Sequence, residues 1–325
     1  MPSQRPFVFV TRRLPGDAVE RLGAAADVEV WPERLPPPPD AIVRHAGAAD
    51  AIVTMLTDRV DAALLDGCPR LRAVANVAVG YDNLDVGELT RRGIPGSNTP
   101  GVLTETTADL AWALILAAAR RVVEAEQSIR KGEWVTWEPG FLLGHDLAGA
   151  TLGIVGFGAI GAAVARRAQG FDMRVLSWTP HPKDDPRVEW VGLEDLLRQS
   201  DVVTLHCALT PETRGLIDAR TLGLMKPTAV LVNTARGPIV DQAALADALR
   251  RRVIFAAGLD VTAQEPIPLD DPLLTLENCI VLPHIGSATV ATRSKMAGLA
   301  ATNVLAALRG ERLPNCINPA VYDQA

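Results

Sequence analysis

The sequence predicts an α/β protein of two domains, each built on a parallel sheet, and three observations carry that reading. At 325 residues the chain is long for one compact unit. From Thr151 onward, short apolar runs alternate with stretches of helical period. The first hundred residues repeat that rhythm with different content. Strand, crossover helix and strand at such spacing mark a parallel sheet, doubly wound when the rhythm is sustained.

In the second half the expected strands are 151–155, 173–178, 201–206, 229–234, 253–259 and 279–283, with helices at 159–169, 193–199 and 241–251 between them. In the first half, apolar runs at 7–10, 28–31, 51–56 and 72–75 are separated by helix-like segments and form a smaller α/β unit. Pro36 to Pro39 makes a stiff extended connector inside it. A long helix is expected from near Thr106, with Asp109 completing an approximate capping box. Its run Leu110 to Ala119 is apolar almost all round, so the helix should be buried on most faces, a subunit interface among them. The stretch Ala288 to Leu308 is too short for a domain and is expected to pack on the N-terminal unit. The domains are therefore 1–99 plus 286–325 and 100–285, with a cleft and a hinge where the chain crosses twice.

Composition removes several function classes. The net charge of −6 comes with no run of Lys or Arg, which argues against an electrostatic grip on nucleic acid. Leu110 to Ala119 is half a membrane span, and Met1 to Pro6 leads into no signal-peptide core. Cys68, Cys207, Cys279 and Cys316 form no Cys-x-x-Cys, and the five histidines show no metal-ligand spacing. A cytoplasmic protein without a metal is expected.

The chemistry sits where parallel strands end. Thr151 to Gly161 reads TLGIVGFGAIG, so Gly156, Gly158 and Gly161 fit G-x-G-x-x-G directly after a strand and at the start of a helix. The first glycine permits the tight turn, the second lets a pyrophosphate approach backbone N–H groups, and the third allows close helix–strand packing. Dinucleotide contacts are expected from Gly156, Phe157, Gly158, Ala159, Ile160 and Gly161, then from Trp178, Thr179, Pro180 and His181. Further along they are expected from Cys207, Ala208, Thr234, Ala235, Asp260 and Gly286. No carboxylate stands at the tip of the second strand, where one would bind the ribose 2′-OH and repel a 2′-phosphate. Thr179, His181 and Lys183 suit such a phosphate, so NADPH is favoured over NADH.

Three tips carry ionisable groups suited to reducing a 2-keto acid. His284, in LPHIGS, would protonate the oxyanion formed by hydride delivery. Glu265 would hold His284 as imidazolium, and Arg236, in NTARGP, would clamp the substrate carboxylate and polarise the keto oxygen. Asp260 either bonds the nicotinamide carboxamide or caps a turn. In the N-terminal unit, Val79 and Gly80 offer a nest of backbone N–H groups for a carboxylate, or a plain glycine turn.

The motifs GFGAIG, NTARG, AAGLDVTAQEP and LPHIGSAT, together with GVLTETTADLA and NCIVLPHIGSAT, resemble the D-isomer-specific 2-hydroxyacid dehydrogenases, with order and spacing kept from about Leu71 to Leu313. The likeness points to the glyoxylate/hydroxypyruvate reductase branch. It implies a Rossmann domain inserted into a flavodoxin-like domain, and Arg236, Glu265 and His284 as the catalytic set. It also implies Val79 and Gly80 as carboxylate-binding backbone, a homodimer, and Trp137 reaching a partner's pocket to limit substrate size. Ala159 and Pro180-His181 stand where relatives often carry Arg. The function expected is NAD(P)H-dependent reduction of glyoxylate or hydroxypyruvate to glycolate or D-glycerate. The alternatives are another D-2-hydroxy acid, formate or phosphite as substrate, or a non-catalytic NAD(H)-sensing binding module.

Overall fold

The computed structural model describes residues 5–182 and 184–323, which fall into two compact units. One runs up to Leu103 and resumes at Ala288; the other is Thr104–Ser287.

The first unit carries strands β1 (Phe7–Val10), β2 (Asp27–Val30), β3 (Ala51–Thr54), β4 (Ala73–Asn76) and β5 (Gly96–Ser97). All pair in parallel in the order β2-β1-β3-β4-β5, the flavodoxin-like winding. Alternate residues of each strand feed opposite faces. Phe9, Ile52 and Val74 join Leu64, Leu65 and Leu89 on one side. Val8, Val10, Val53 and Ala75 meet Leu22 and the helix Val290–Leu308 on the other. That helix presents Ala297, Ala300 and Ala301 to the sheet, and small side chains let its backbone approach closely.

The second unit carries β6 (Thr151–Val155), β7 (Arg174–Trp178), β8 (Glu189–Trp190), β9 (Val202–Leu205), β10 (Val230–Asn233), β11 (Ala256–Leu259) and β12 (Cys279–Val281). Their order is β12-β11-β10-β9-β6-β7-β8, all parallel. Winding reverses between β6 and β9, the switch point where doubly wound sheets bind ligands beyond the carboxyl ends of the strands. Helices Thr104–Ala119 and Ala159–Ala168 cover one face. Helices Leu193–Gln199 and Gln242–Arg250 cover the other.

Some local expectations needed revision. The long helix begins at Thr104, and Asp109 does not cap it but pairs with Arg167 at 2.6 Å. The run expected as a strand from Val253 becomes one only at Ala256. Arg252 takes φ 57° and the Val253 amide returns to the Ala248 carbonyl at 2.8 Å, closing the preceding helix, while Ile254 is buried in the core and the Phe255 amide reaches the Ala229 carbonyl at 2.9 Å. The two-residue strands β5 and β8 had no apolar run to announce them. Among the described residues no helix is long and apolar enough to cross a membrane.

Candidate active site

In the second unit the expected site residues occupy consecutive strand tips. After β6, Gly156 takes φ +93°, and a Cβ there would lie 2.4 Å from the Cys207 backbone nitrogen. A Cβ on Gly161 would lie 2.4 Å from the Gly156 carbonyl oxygen, whereas one on Gly158 would meet open space. The first and third glycines are thus fixed by the fold, while the second leaves room beside the N-terminus of the ten-residue helix Ala159–Ala168. Unpaired N–H groups at such a helix start favour an anion, so the tip fits a pyrophosphate. Gly156→Ala should therefore cost about 2–4 kcal/mol of stability. Gly158→Ala should cost within about 1 kcal/mol while lowering dinucleotide affinity at least roughly tenfold. Thermal melts and dinucleotide titrations of the two variants separate these effects.

At the tip of β7, Trp178 and Thr179 are half-buried and Pro180 and His181 exposed. Lys183 lies outside the described residues. After β9, His206 sits with Nε2 2.9 Å from Thr204 Oγ1 and Nδ1 3.4 Å from Thr234 Oγ1. Burial pushes its pKa down to about 3, so the ring is neutral. Because an unfolded chain takes up this proton near the ordinary value of 6.5, the stability that His206 contributes is present above that pH and lost on acidification toward 3. The protein should lose on the order of 1–2 kcal/mol between pH 6.5 and 5 through this group. His206→Gln should flatten that slope in denaturant titrations. Cys207 beside it is held protonated, its pKa raised to about 11 by burial.

After β10 the side chain of Asn233 braces the turn that carries Arg236. Its Nδ2 donates to the Arg236 carbonyl at 2.9 Å and its Oδ1 accepts from the Ala235 amide at 3.0 Å. Gly237 follows, and a Cβ there would lie 1.9 Å from the Thr262 carbonyl oxygen. Only glycine lets the Arg236 turn press on the loop after β11. In that loop Thr262 donates its amide to Glu265 Oε1 at 3.2 Å and its hydroxyl to the Gln264 carbonyl at 2.7 Å. Glu265 Oε2 lies 2.7 Å from His284 Nδ1, both side chains partly exposed, at 30% and 26%. Burial works to raise the Glu265 pKa, but the hydrogen bond and charge of His284, the Thr262 amide and the charge of Arg236 together bring it below the ordinary value.

His284 is aimed by Asp260. Its own amide donates to the Asp260 carbonyl at 2.9 Å, while the Asp260 carboxylate accepts from the Ile285 and Gly286 amides at 2.7 and 2.8 Å. Asp260 is 1% exposed, and burial, offset only in part by these two donors, raises its pKa. The carboxylate thus caps the His284 turn. The Gly286 carbonyl in turn accepts from Thr107 Oγ1 at 3.3 Å. His284 itself adopts φ 53°.

The structure brings Arg236, Glu265 and His284 together and adds Asn233, Gly237, Thr262 and Thr107 as their supports. Of these, Asn233 had a readable signal, since Asn at the end of a strand is a turn former. The others depend on through-space contacts. Trp137 is 78% exposed in the irregular segment after the helix Val122–Arg130. In the first unit, Val79 and Gly80 lie in the bend after β4. Among the described residues no group of three His, Cys, Asp or Glu side chains could hold a metal ion.

Residues 112–286 match the family described as D-isomer specific 2-hydroxyacid dehydrogenase, NAD binding domain. The chain is 52% identical over 322 residues to a glyoxylate reductase of Korarchaeum cryptofilum, covering 98% of this chain and 97% of that one. It superposes on the TT0316 protein of Thermus thermophilus with TM-score 0.92 and 47% identity, covering 96% of this chain and 99% of that one. It also superposes on an NADPH-dependent glyoxylate/hydroxypyruvate reductase of Sinorhizobium meliloti, in complex with NADP and malonate, with TM-score 0.87, 32% identity and 98% of each chain covered. The chain belongs to the D-isomer-specific 2-hydroxyacid dehydrogenases and is a nicotinamide-dinucleotide-dependent oxidoreductase.

Proposed function

We propose that the protein reduces glyoxylate or hydroxypyruvate to glycolate or D-glycerate with NADPH favoured over NADH. The observation that carries the reaction is the Arg236, Glu265 and His284 constellation on adjacent strand tips, with His284 held 2.7 Å from Glu265. The names of the relatives support the substrate. When bound, the dinucleotide supplies a hydride for the keto carbon. His284, hydrogen-bonded to Glu265, gives the proton to the oxygen left behind, and Arg236 stabilises the negative charge that develops there. The amides of Val79 and Gly80 take the substrate's carboxylate. Phe157, Ala159, Ile160, Ala208, Thr234 and Ala235 complete the dinucleotide contacts as the glycine turn and the strand tips arrange them.

The preference for NADPH rests on Trp178-Thr179-Pro180-His181, a tip without the carboxylate that would repel a 2′-phosphate. We also infer a homodimer. The unit Thr104–Ser287 exposes Val122, Ile129, Trp134, Val135, Trp137 and Leu143 at 52%, 59%, 59%, 88%, 78% and 63%, an apolar concentration along one segment that a second copy would cover. In that arrangement Trp137 serves the partner's pocket. Four free cysteines, with Cys207 and Cys279 kept protonated by burial, suit the cytoplasm.

Absorbance at the nicotinamide band tests the reading directly, with each keto acid paired with NADPH and with NADH. Faster oxidation of NADPH supports both reaction and cofactor. Faster oxidation of NADH keeps the reaction and removes the cofactor preference, and oxidation of neither with these acids rejects the substrate assignment.

A further inference from the structure

The bend after β4 has an unusual hydrogen-bond pattern: three consecutive carbonyls are tied back by the ends of two strands. The Ala78 carbonyl accepts from the Thr99 amide at 2.8 Å, the Val79 carbonyl from Asn98 Nδ2 at 2.8 Å, and the Gly80 carbonyl from Asn76 Nδ2 at 3.1 Å. These peptide bonds are trans, and a trans peptide points its N–H opposite to its C=O. Each tether therefore turns one N–H away from the residue that makes it: Val79 opposite Thr99, Gly80 opposite Asn98, and Tyr81 opposite Asn76. Among the described residues none accepts from these three N–H groups.

Both asparagines are themselves fixed. Asn76 ends β4, is fully buried, and accepts at Oδ1 from Thr54 Oγ1 at 3.2 Å and Asn83 Nδ2 at 3.3 Å. Asn83 is anchored in turn by the Met55 and Asp58 carbonyls, at 3.0 and 2.8 Å. Asn98 follows β5, whose pairing with β4 through Val74–Gly96 and Ala75–Ser97 sets how far the Asn98 side chain lies from Val79. A bend tethered on one side only keeps its other side polar and donor-rich, the chemistry that recognises a small carboxylate.

We propose that Asn76 and Asn98 are positioning residues for the substrate's carboxylate, holding the Gly80 and Val79 carbonyls so that the amides of Val79, Gly80 and Tyr81 stay available to the anion. This rests on the carboxylate role given to Val79 and Gly80 above, and it adds Tyr81 as a third donor. Without the Asn98 tether, the Val79–Gly80 peptide is free to rotate and take its N–H out of the set.

The experiment compares the wild type with Asn98→Ala, Asn98→Asp and Asn76→Ser. It measures KM and kcat for glyoxylate, calorimetric binding of oxalate to the protein saturated with NADPH, NADPH affinity and thermal melting. The expected result for Asn98→Ala is a rise of about 10- to 100-fold in KM and a matching rise in the oxalate Kd, with kcat changed much less and NADPH affinity unchanged. Asn98→Asp should be weaker still, because it removes the donor and adds a like charge. A folded Asn98→Ala with wild-type KM and oxalate Kd overturns the proposal, whether or not Asn76→Ser folds. A wild type that binds neither glyoxylate nor oxalate removes the carboxylate role itself, and with it this extension.

Discussion

Replacing His284 by Ala is expected to lower kcat for keto acid reduction by about 10²- to 10⁴-fold, with the dinucleotide still bound at nearly wild-type affinity. Hydride arrival at the keto carbon leaves an oxyanion, and the proposed donor of its proton is His284, whose Nδ1 lies 2.7 Å from Glu265. Glu265→Gln should keep the Nδ1 hydrogen bond and remove the neighbouring negative charge, so kcat should fall while dinucleotide affinity stays near wild type. Steady-state rates across pH 5–9 decide both. A His284→Ala enzyme that turns over normally would mean that the proton comes from elsewhere.

The second large effect is expected at Arg236. Arg236→Ala should lower kcat by about 10²- to 10³-fold, since it removes a fixed positive charge from a developing oxyanion. It should also raise KM, because the role proposed for this guanidinium includes contact with the ground-state substrate. Arg236→Lys keeps the charge but loses the planar fork, so it should recover only part of the loss. Stopped-flow measurement of a single turnover separates the chemical step from product release. If Arg236→Lys matched the wild type, the fork geometry would be irrelevant and a point charge sufficient. The turn keeps the two bonds of the Asn233 side chain when the guanidinium's own bond to the Ala235 carbonyl, at 2.8 Å, is lost, so a thermal melt accompanies the kinetics.

The sequence exposes this site because in a doubly wound sheet the positions that matter come directly after apolar runs. Arg236, Asp260 and His284 each follow such a run, so strand ends found by periodicity already name them. The glycine turn was readable for the same reason, with the strand before and the helix after giving GFGAIG its meaning. What escaped is through-space. Gly237 looks like an ordinary turn glycine until Thr262 is seen against it, and Asn98 has no local pattern because its partner Val79 is 19 residues away. The shortest strands escaped as well. β5 is the pair Gly96–Ser97, which has neither alternation nor apolar length, and only its neighbours make it a strand. The helix start escaped too: it lies at Thr104, which leaves Asp109 more than a turn inside the helix, paired with Arg167.

The backbone of His284 lies in the left-handed region, at φ 53°, where an L-residue other than glycine is disfavoured by about 1–2 kcal/mol. Arg121, Leu142, Asp172 and Arg252 share this region, and at position 284 the conformation is held by the Asp260 carbonyl and carboxylate, which accept from the amides of His284, Ile285 and Gly286. His284→Gly should therefore gain at most about 1 kcal/mol, because backbone entropy and the lost Glu265 bond offset the relief of strain, and a thermal melt measures the balance.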